Sequence, residues 1–263
     1  MPIDVPGFTL LYQAVRPFKP LAPAEEMSFR MKLQRFQIDR VHGHTVLKNF
    51  LNRTGKVIDL GMNNGDFARI MDGRYGCLVI GVEANPVLAT EISRLNGVVC
   101  KNAAISALDG FVKFSIDEEN PEASGIVPDS TPLSKTVIVV PSMSLSTLVR
   151  EAEAEQIDLL KIDVEGAELD VIETTDPEIF QRCTQIAIEF HSFIYPSHAE
   201  RIEKAIALLS GLGFHCTDFS TNRSDVLFIN RHMIYISAGV KALLVLQKYH
   251  ALIVRRVRRI ALT

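Results

Sequence analysis

The sequence lacks the features that mark several large classes of protein. Its four cysteines are far apart and form neither a CxxC pair nor a Cys/His cluster, which argues against a zinc site or a redox pair. No uninterrupted apolar stretch reaches the length needed to span a bilayer, and residues 1–6 have neither the basic start nor the apolar run of a secretory signal. We therefore expect a cytoplasmic protein that is at most peripheral to a membrane.

An excess of charge of one sign is also missing. The 263 residues include 28 Lys and Arg and 31 Asp and Glu, a formal net charge of -3, with 47% hydrophobic and 22% charged residues. This is ordinary globular composition, which excludes wholesale disorder. A protein whose whole surface binds nucleic acid needs a broad basic face, so we expect no nucleic-acid partner.

The chain divides into three regions. Residues 1–40 contain five prolines and are predicted to form an irregular arm that leads into a helix; Val41 to Asn52 is also predicted to be helical. Residues 41–230 alternate continuous apolar runs of strand length with helical segments, which predicts a mainly parallel α/β sheet covered on both faces. Within this region Pro121 to Lys135, rich in Pro, Ser and Thr, is predicted to be a loop on the substrate side.

Residues 231–263 have a different composition. They contain seven Lys and Arg and no acidic residue, so this region carries +7 and the rest of the chain -10. A helical projection separates two stripes, with Lys241, Lys248, Arg255 and Arg259 on one and Leu243, Leu246, Ile253, Val254 and Val257 roughly opposite. This basic amphipathic helix either packs against the domain or a second subunit, or attaches to an anionic membrane; nucleic-acid contact is the least favoured interpretation.

A glycine-containing turn follows the first apolar run of the α/β region. In Val57-Ile-Asp-Leu-Gly-Met-Asn-Asn-Gly-Asp-Phe67 the turn contains Gly61 and Gly65, which allow the backbone to approach a ligand closely. The spacing is G-x-x-x-G, whereas dinucleotide sites have G-x-G-x-x-G, and Asp59 would repel a pyrophosphate but suit an ammonium or sulfonium cation. An adenosine-containing cation is therefore favoured, and an NAD-dependent dehydrogenase is the disfavoured alternative.

Polar residues also end the second and third apolar runs. Glu83 can accept hydrogen bonds from both hydroxyls of a ribose, and the amide of Asn102 could meet the edge of an adenine. Each residue taken alone has a structural interpretation, as a loop acid or a turn former. Asp59, Glu83 and Asn102 end three successive apolar runs. This arrangement favours ligand binding, because the carboxyl ends of parallel strands lie at the same edge of the sheet.

The second half of the region holds the candidate catalytic residues. In Asp158-Leu-Leu-Lys-Ile-Asp-Val-Glu-Gly-Ala-Glu168, Lys161 and Asp163 project to the same side of a strand, and a lysine within an apolar strand needs an acidic partner. For Glu168 a structural ion pair is favoured over catalysis. Glu189 and His191 follow the next strand, and a histidine beside a carboxylate is a candidate general base near neutral pH.

Taken together, these motifs resemble the FkbM family of S-adenosylmethionine-dependent methyltransferases over residues 41–230. The matching segments are Val-Ile-Asp-Leu-Gly-Met-Asn-Asn-Gly-Asp-Phe from Val57, Gly-Val-Glu-Ala-Asn-Pro from Gly81, Asn-Ala-Ala-Ile-Ser from Asn102 and Leu-Leu-Lys-Ile-Asp-Val-Glu-Gly-Ala-Glu from Leu159. The resemblance implies a Rossmann-like class I methyltransferase fold: a seven-stranded, mostly parallel sheet with a C-terminal antiparallel hairpin and helices on both faces. It also implies a cofactor site, with Asp59, Gly61, Asn63 and Gly65 at the methionine part, Glu83 at the ribose, and Asn102 and Ala103 at the adenine.

The resemblance implies an activity as well. Members of the family typically methylate hydroxyl groups in sugars, polyketides and related natural products, so a small-molecule or glycan acceptor is expected. Asp163, with Lys161 and either Glu189 or His191, is then expected to orient and deprotonate that hydroxyl. Mg²⁺ held by Asp163 and Glu189 is a less favoured alternative, because no third ligand is evident. The alternative without catalysis is an adenosyl-binding adaptor that acts through residues 238–263; a homo-oligomer is a further open alternative.

Overall fold

The structure is a computed structural model that describes residues 37–117, 119, 124–134, 136–191 and 198–261, with side chains described as far as Tyr249. The arm predicted for residues 1–36 lies outside the described residues. The first elements are strands β1 (Ile38–Val41) and β2 (His44–Leu47), which pair as an antiparallel hairpin, followed by a 3-10 turn at Lys48–Phe50.

The prediction of a helix from Val41 to Asn52 is therefore wrong. The chain reverses at His42 and Gly43, both of which have positive φ, and β2 is buried along its whole length. Long-range hydrogen bonds decide this conformation, because the side chain of Gln185 bonds both backbone groups of Leu47, at 2.7 and 3.1 Å. A continuous buried strand has no alternation of polar and apolar residues, so its sequence is easily mistaken for that of a helix.

Eleven further strands follow within the described residues. In chain order they are β3 (Lys56–Leu60), β4 (Leu78–Glu83), β5 (Val98–Asn102), β6 (Ala104–Ile105), β7 (Gly110–Ser115), β8 (Gly125–Val127), β9 (Val137–Met143), β10 (Leu159–Ile162), β11 (Gln185–Ile188), β12 (Phe214–Asp218) and β13 (Val226–Asn230). The α-helices are α1 (Asp66–Ile70, continued by a π-helical turn at Met71–Tyr75), α2 (Pro86–Ile92), α3 (Leu145–Glu151), α4 (Glu168–Thr174), α5 (Pro177–Gln181), α6 (Ala199–Gly211) and α7 (Ala238–Ala261).

Seven strands form the central sheet, in the order β12-β13-β11-β10-β3-β4-β5. Neighbouring strands from β11 to β5 are parallel, while β13 is antiparallel to both β11 and β12. Strands β3, β4 and β5 lie side by side in chain order, and β10, the next strand of this sheet, lies on the opposite side of β3. This topology confirms the predicted fold class, and it opens a crevice at the carboxyl ends of β3 and β10, where α/β sheets bind ligands.

A second sheet of four strands, in the order β6-β9-β7-β8, follows β5. Strand β7 falls within the region predicted to form a mainly parallel sheet, but it belongs to this smaller mixed sheet, where it is antiparallel to β8 and β9. Part of the segment predicted to be a loop, Pro121 to Lys135, forms β8; residues 121–123 and 135 lie outside the described residues. The small sheet approaches the carboxyl edge of the central sheet and covers one side of the crevice.

Apolar side chains cover both faces of the central sheet. Val57 and Leu159 pack on one face with Phe67 of α1, whereas Ile58 and Leu160 pack on the other face in a larger cluster. Burial of each such side chain is worth about 1.5–3 kcal/mol, so the alternating residues of a single strand stabilise two layers at once. The continuous apolar composition of these strands follows from this double burial.

The C-terminal helix predicted from the sequence is present as α7, which has 24 residues. Leu244 of this helix is buried with Leu227 and Ile229, and Val240 packs against the same cluster. Leu246, which the helical projection assigned to the apolar stripe, is instead 67% exposed. The face of α7 that packs on the domain therefore differs from the predicted apolar stripe. Which residues of the helix are buried depends on the shape of the domain surface beneath it. No helix in the described ranges has the length and apolarity needed to cross a membrane.

Candidate active site

A cavity of about 640 Å³, part of it open to solvent, lies at the carboxyl edge of the central sheet. Its wall combines small residues, apolar side chains from α2 and the small sheet, and a few polar groups. The residues that line it are Gly61, Asn63, Val82, Glu83, Ala84, Asn85, Leu88, Ala103, Ala104, Ile105, Phe114, Ser124, Ile126, Asp163, Val164 and Glu165. A concave, mostly apolar site with a few convergent polar groups is typical of a small-molecule binding site.

The glycine turn after β3 forms one wall of this cavity. Gly61 has φ of 77°, and a Cβ added there would lie 1.9 Å from the backbone oxygen of Asp163, so a side chain would collide with the adjacent strand end. Gly65, with φ of 79°, precedes the first residue of α1. Both glycines are therefore required by the backbone, and only Gly61 of the two lines the cavity.

Glu83 is held rigidly at the end of β4. One carboxylate oxygen accepts a hydrogen bond from the backbone N–H of Asn63 at 2.7 Å, and the other accepts one from that of Asn85 at 2.8 Å. Burial raises the pKa of this carboxyl, although both hydrogen bonds act in the opposite direction. The carboxylate is thus fixed at the cavity wall in a position suited to a diol.

Besides Gly65, two further residues that were predicted to contact the cofactor do not line the cavity. The side-chain amide of Asn102 donates hydrogen bonds to the backbone oxygens of Glu83 and Ala84, at 2.9 and 3.1 Å, so it holds two strand ends together. Asp59 is fully buried behind the Gly61 turn. Ala103, next to Asn102, lines the cavity.

Lys161 connects the two halves of the sheet. Its ammonium donates a hydrogen bond to the backbone oxygen of Gly61 at 2.7 Å and lies 3.0 Å from Asp59 Oδ1 and 3.4 Å from Asp163 Oδ2. Burial alone would lower the pKa of Lys161, but the two carboxylates raise it. The lysine therefore stays charged; it neutralises buried carboxylates and fixes the glycine turn.

Asp163 lines the cavity and is a poor proton acceptor. Burial would raise its pKa, but the charge of Lys161 and a hydrogen bond from His44 hold the pKa well below its usual range. The carboxylate remains ionised at neutral pH, so its role at the cavity is that of a fixed negative charge and hydrogen-bond acceptor.

His191 lies between two carboxylates. Its Nδ1 is 2.7 Å from Glu168 Oε1 and its Nε2 is 2.9 Å from Glu165 Oε2. Burial would lower its pKa, but the hydrogen bonds to Glu165 and Glu168 raise it to about 11. An imidazolium with both N–H groups engaged has no lone pair to accept a proton, and this geometry argues against the expectation that His191 is the general base.

His44 is a site residue that no sequence motif indicated. Its Nε2 lies 3.3 Å from Asp163 Oδ2, its side chain is 1% exposed, and its ring packs edge-on against Phe67. His44 belongs to the β1–β2 hairpin, whose approach to the sheet edge depends on tertiary packing. Because the segment from Val41 to Asn52 was predicted to be a helix, nothing in the nearby sequence indicated that His44 contacts Asp163.

Glu189 follows β11, beside Asp163. Burial raises the pKa of this half-buried carboxyl, and the negative charge of Asp163 raises it further, to about 7. One ligand-type atom from each of His44, Asp163 and Glu189 lies within 4.8 Å of the others, so His44 supplies the third group that a divalent cation would need. Lys161 already places a positive charge 3.4 Å from Asp163, and it would repel such an ion.

The strand order and the cavity at the carboxyl edge define a Rossmann-like α/β domain of the class that binds nucleotide cofactors. The model of the Methyltransferase FkbM domain matches residues 59–216, which is more than half of the chain. The chain belongs to the FkbM methyltransferase domain family, as its sequence motifs indicated. No curated protein sequence matches the chain.

Solved structures with a similar fold include several methyltransferases. Fibrillarin from Aeropyrum pernix, in complex with natively bound S-adenosyl-L-methionine, has a TM-score of 0.36 and 14% identity; the match covers 68% of this chain and 66% of fibrillarin, just under two thirds of its length. An O-methyltransferase from Bacillus cereus in complex with SAH has a TM-score of 0.40 and 10% identity, over 84% of this chain and 88% of that one. A TehB-like SAM-dependent methyltransferase from Corynebacterium glutamicum has a TM-score of 0.37 and 11% identity, over 80% and 100% of the two chains.

Proposed function

We propose that this chain is an S-adenosylmethionine-dependent methyltransferase whose acceptor is a hydroxyl group of a small molecule or glycan. Family membership supports the methyltransferase class. The observation that carries the proposal of an acceptor that must lose a proton, such as a hydroxyl, is Glu189, a half-buried carboxylate beside Asp163 whose pKa is raised to about 7. A general base is most effective when its pKa lies near the working pH.

The residues of the cavity fit the proposed cofactor. Glu83 offers two carboxylate oxygens, fixed by backbone N–H groups, to the hydroxyls of a ribose. Gly61 lies against the backbone of Asp163, the backbone of Asn63 bonds Glu83, and Ala103 lines the part that we assign to adenine. When bound, the cofactor supplies an electrophilic methyl group on a positively charged sulfur, and the carboxylates of Asp163 and Glu165 at the cavity wall favour a cation.

The side chains at the acceptor end have distinct roles in this proposal. Glu189 takes the proton of the acceptor hydroxyl, which leaves the oxygen nucleophilic. Asp163 stays ionised and orients the acceptor through a hydrogen bond, since Lys161 and His44 hold its carboxylate in place. His191 stays protonated between Glu165 and Glu168, and it keeps these carboxylates from repelling one another.

Calorimetric titration with S-adenosylmethionine and S-adenosylhomocysteine, with NAD in parallel, tests the cofactor assignment. We expect micromolar binding of the adenosyl compounds and none of NAD. A panel of hydroxylated acceptors with methyl-labelled cofactor then tests turnover, which should rise with pH and level off above about 7, because only the ionised form of Glu189 accepts a proton. Binding without turnover of any hydroxyl acceptor would favour the adaptor, and methylation of amines alone would contradict the choice of a hydroxyl.

A further inference from the structure

The outward surface of α7 exposes a group of apolar side chains. Val245, Leu246 and Tyr249 are 50%, 67% and 59% exposed, and Ala242 lies beside them on the same side of the helix. We call these four residues the outer face of α7. Scattered exposed apolar residues are common, but a continuous stripe on one helix needs a partner to cover it.

The packing of α7 fixes this stripe toward the outside. Leu244 is 1% exposed in a cluster with Leu47 and Phe219, and Val240, one turn earlier, packs against the same cluster. A rotation of the helix that buried the outer face would remove Leu244 from the core. The helix therefore presents its outer face in a fixed orientation, while its inner face anchors it to the domain.

The charged residues in the region that contains the outer face are all basic. Lys241 is exposed beside the stripe, and the region 231–263 has seven Lys and Arg and no Asp or Glu. The rest of the chain carries -10, so positive charge is concentrated in the region that contains the exposed stripe. Apolar side chains in a basic region are complementary to a surface that is both apolar and anionic.

We infer that the outer face of α7 binds the surface of an anionic lipid bilayer, with the helix lying in the plane of the interface. Tyr249 suits this position, because its ring is apolar and its hydroxyl stays in contact with water. Nucleic acid would match the charge but not the apolar stripe. A second copy bound through the same face would bring two regions of charge +7 together, which opposes association.

Flotation of the full chain with lipid vesicles tests this inference. We expect binding to vesicles of phosphatidylcholine mixed with phosphatidylglycerol, weaker binding as salt is raised, and little binding to phosphatidylcholine alone. The variant Val245→Ser/Leu246→Ser/Tyr249→Ser should bind at least about tenfold more weakly, because it removes most of the apolar area of the stripe. Lys241→Gln should weaken binding about fivefold, as expected for one cation near an anionic surface.

The matched control is Leu108→Ser/Phe111→Ser/Val139→Ser, which removes three exposed apolar side chains, 77%, 75% and 52% exposed, far along the chain from α7. This variant should bind vesicles as the unmodified protein does, and thermal unfolding should show both triple variants to be folded. Equal binding by the α7 variant and the unmodified protein would overturn the inference. So would a concentration-dependent dimer that this variant disrupts, with no vesicle binding by the unmodified protein. Cofactor titration is independent of these results, so failure here leaves the proposed activity untouched.

Discussion

The two halves of the central sheet build their parts of the cavity in different ways. On the side of β3, β4 and β5, one carboxylate, Glu83, is fixed by backbone N–H groups among small residues. On the side of β10 and β11, ionisable side chains hold one another in place, and His44 joins them from a hairpin distant in sequence. The position of Glu83 depends on nearby backbone groups, whereas the network around Asp163 depends on side chains from several distant segments. Substitutions in the two halves should therefore have different effects on cofactor binding, turnover and stability.

The largest expected effect is on turnover, at the acceptor end. Glu189→Gln should lower kcat by about 10²–10⁴, the usual contribution of a general base, because the amide cannot take the hydroxyl proton. The affinity for the cofactor should stay within a factor of about two, since Glu189 does not line the cavity. Stopped assays with labelled cofactor measure the first quantity and calorimetry the second.

The control is Glu178→Gln, a substitution of an exposed glutamate on α5, which should leave both quantities unchanged. Turnover by Glu189→Gln that matches the unmodified enzyme, with the same pH profile, would remove Glu189 from the proposed mechanism.

Lys161→Met tests how much the contacts of Lys161 with Asp59 and Gly61, which join the two halves of the central sheet, contribute to the free energy of unfolding. The substitution leaves Asp59 buried with no counterion, and breaking one side of a buried pair costs about 3–5 kcal/mol in the free energy of unfolding. Urea unfolding measures the loss, and the double variant Asp59→Asn/Lys161→Met should recover part of it. Lys204→Met, which breaks an exposed ion pair with Glu200, is the matched control and should cost at most about 1 kcal/mol. Equal losses at the two lysines would contradict the buried connection.

Glu83→Ala probes the cofactor half alone. Loss of charge-assisted hydrogen bonds worth about 1.5–3 kcal/mol should weaken S-adenosylhomocysteine binding roughly 10- to 150-fold. Glu91→Ala, at an exposed position on α2, should leave the calorimetric affinity unchanged. Unaltered binding by a folded Glu83→Ala protein would mean that the cofactor does not use this carboxylate.

The smallest expected effect is a change in the pH dependence of stability. The pKa of His191 rises from its ordinary value of 6.5 to about 11 on folding, so its protonated form stabilises the folded state. This contribution is complete below about pH 6.5 and is lost as the pH rises toward 11. His191→Gln should therefore be less stable than the unmodified protein by about 2 kcal/mol at pH 6, with a smaller difference at pH 10. A difference that does not change with pH would exclude the proposed charge on His191.

The same contrast explains which residues could be predicted. Gly61 and Glu83, which line the cavity, were predicted from glycine spacing and from a polar strand end, which have local meaning in a parallel sheet. Asn63 and Ala103, which also line it, were predicted from the resemblance to the family. Asp59 and Asn102 were predicted to contact the cofactor. The sequence does not reveal that the Asn102 amide bonds backbone oxygens or that Asp59 is paired with Lys161.

The errors fall where long-range contacts decide the conformation. The stretch from Val41 to Asn52 forms a hairpin because Gln185 and Asp225, far along the chain, satisfy its backbone N–H groups. For α7, periodicity indicated an amphipathic helix, but the choice between Leu244 and Leu246 as the buried residue depended on the surface beneath it.

The sequence by itself determined the family, the α/β sheet and the polar residues at the strand ends, because these depend on local motifs and spacing; the C-terminal hairpin was implied by the resemblance to the family. Only the tertiary structure decided the ionisation of the acceptor end. It brings His44 to Asp163, places His191 between Glu165 and Glu168, and leaves Glu189 with a pKa near 7. A pKa depends on burial and on the charges a few ångströms away, and folding alone determines both.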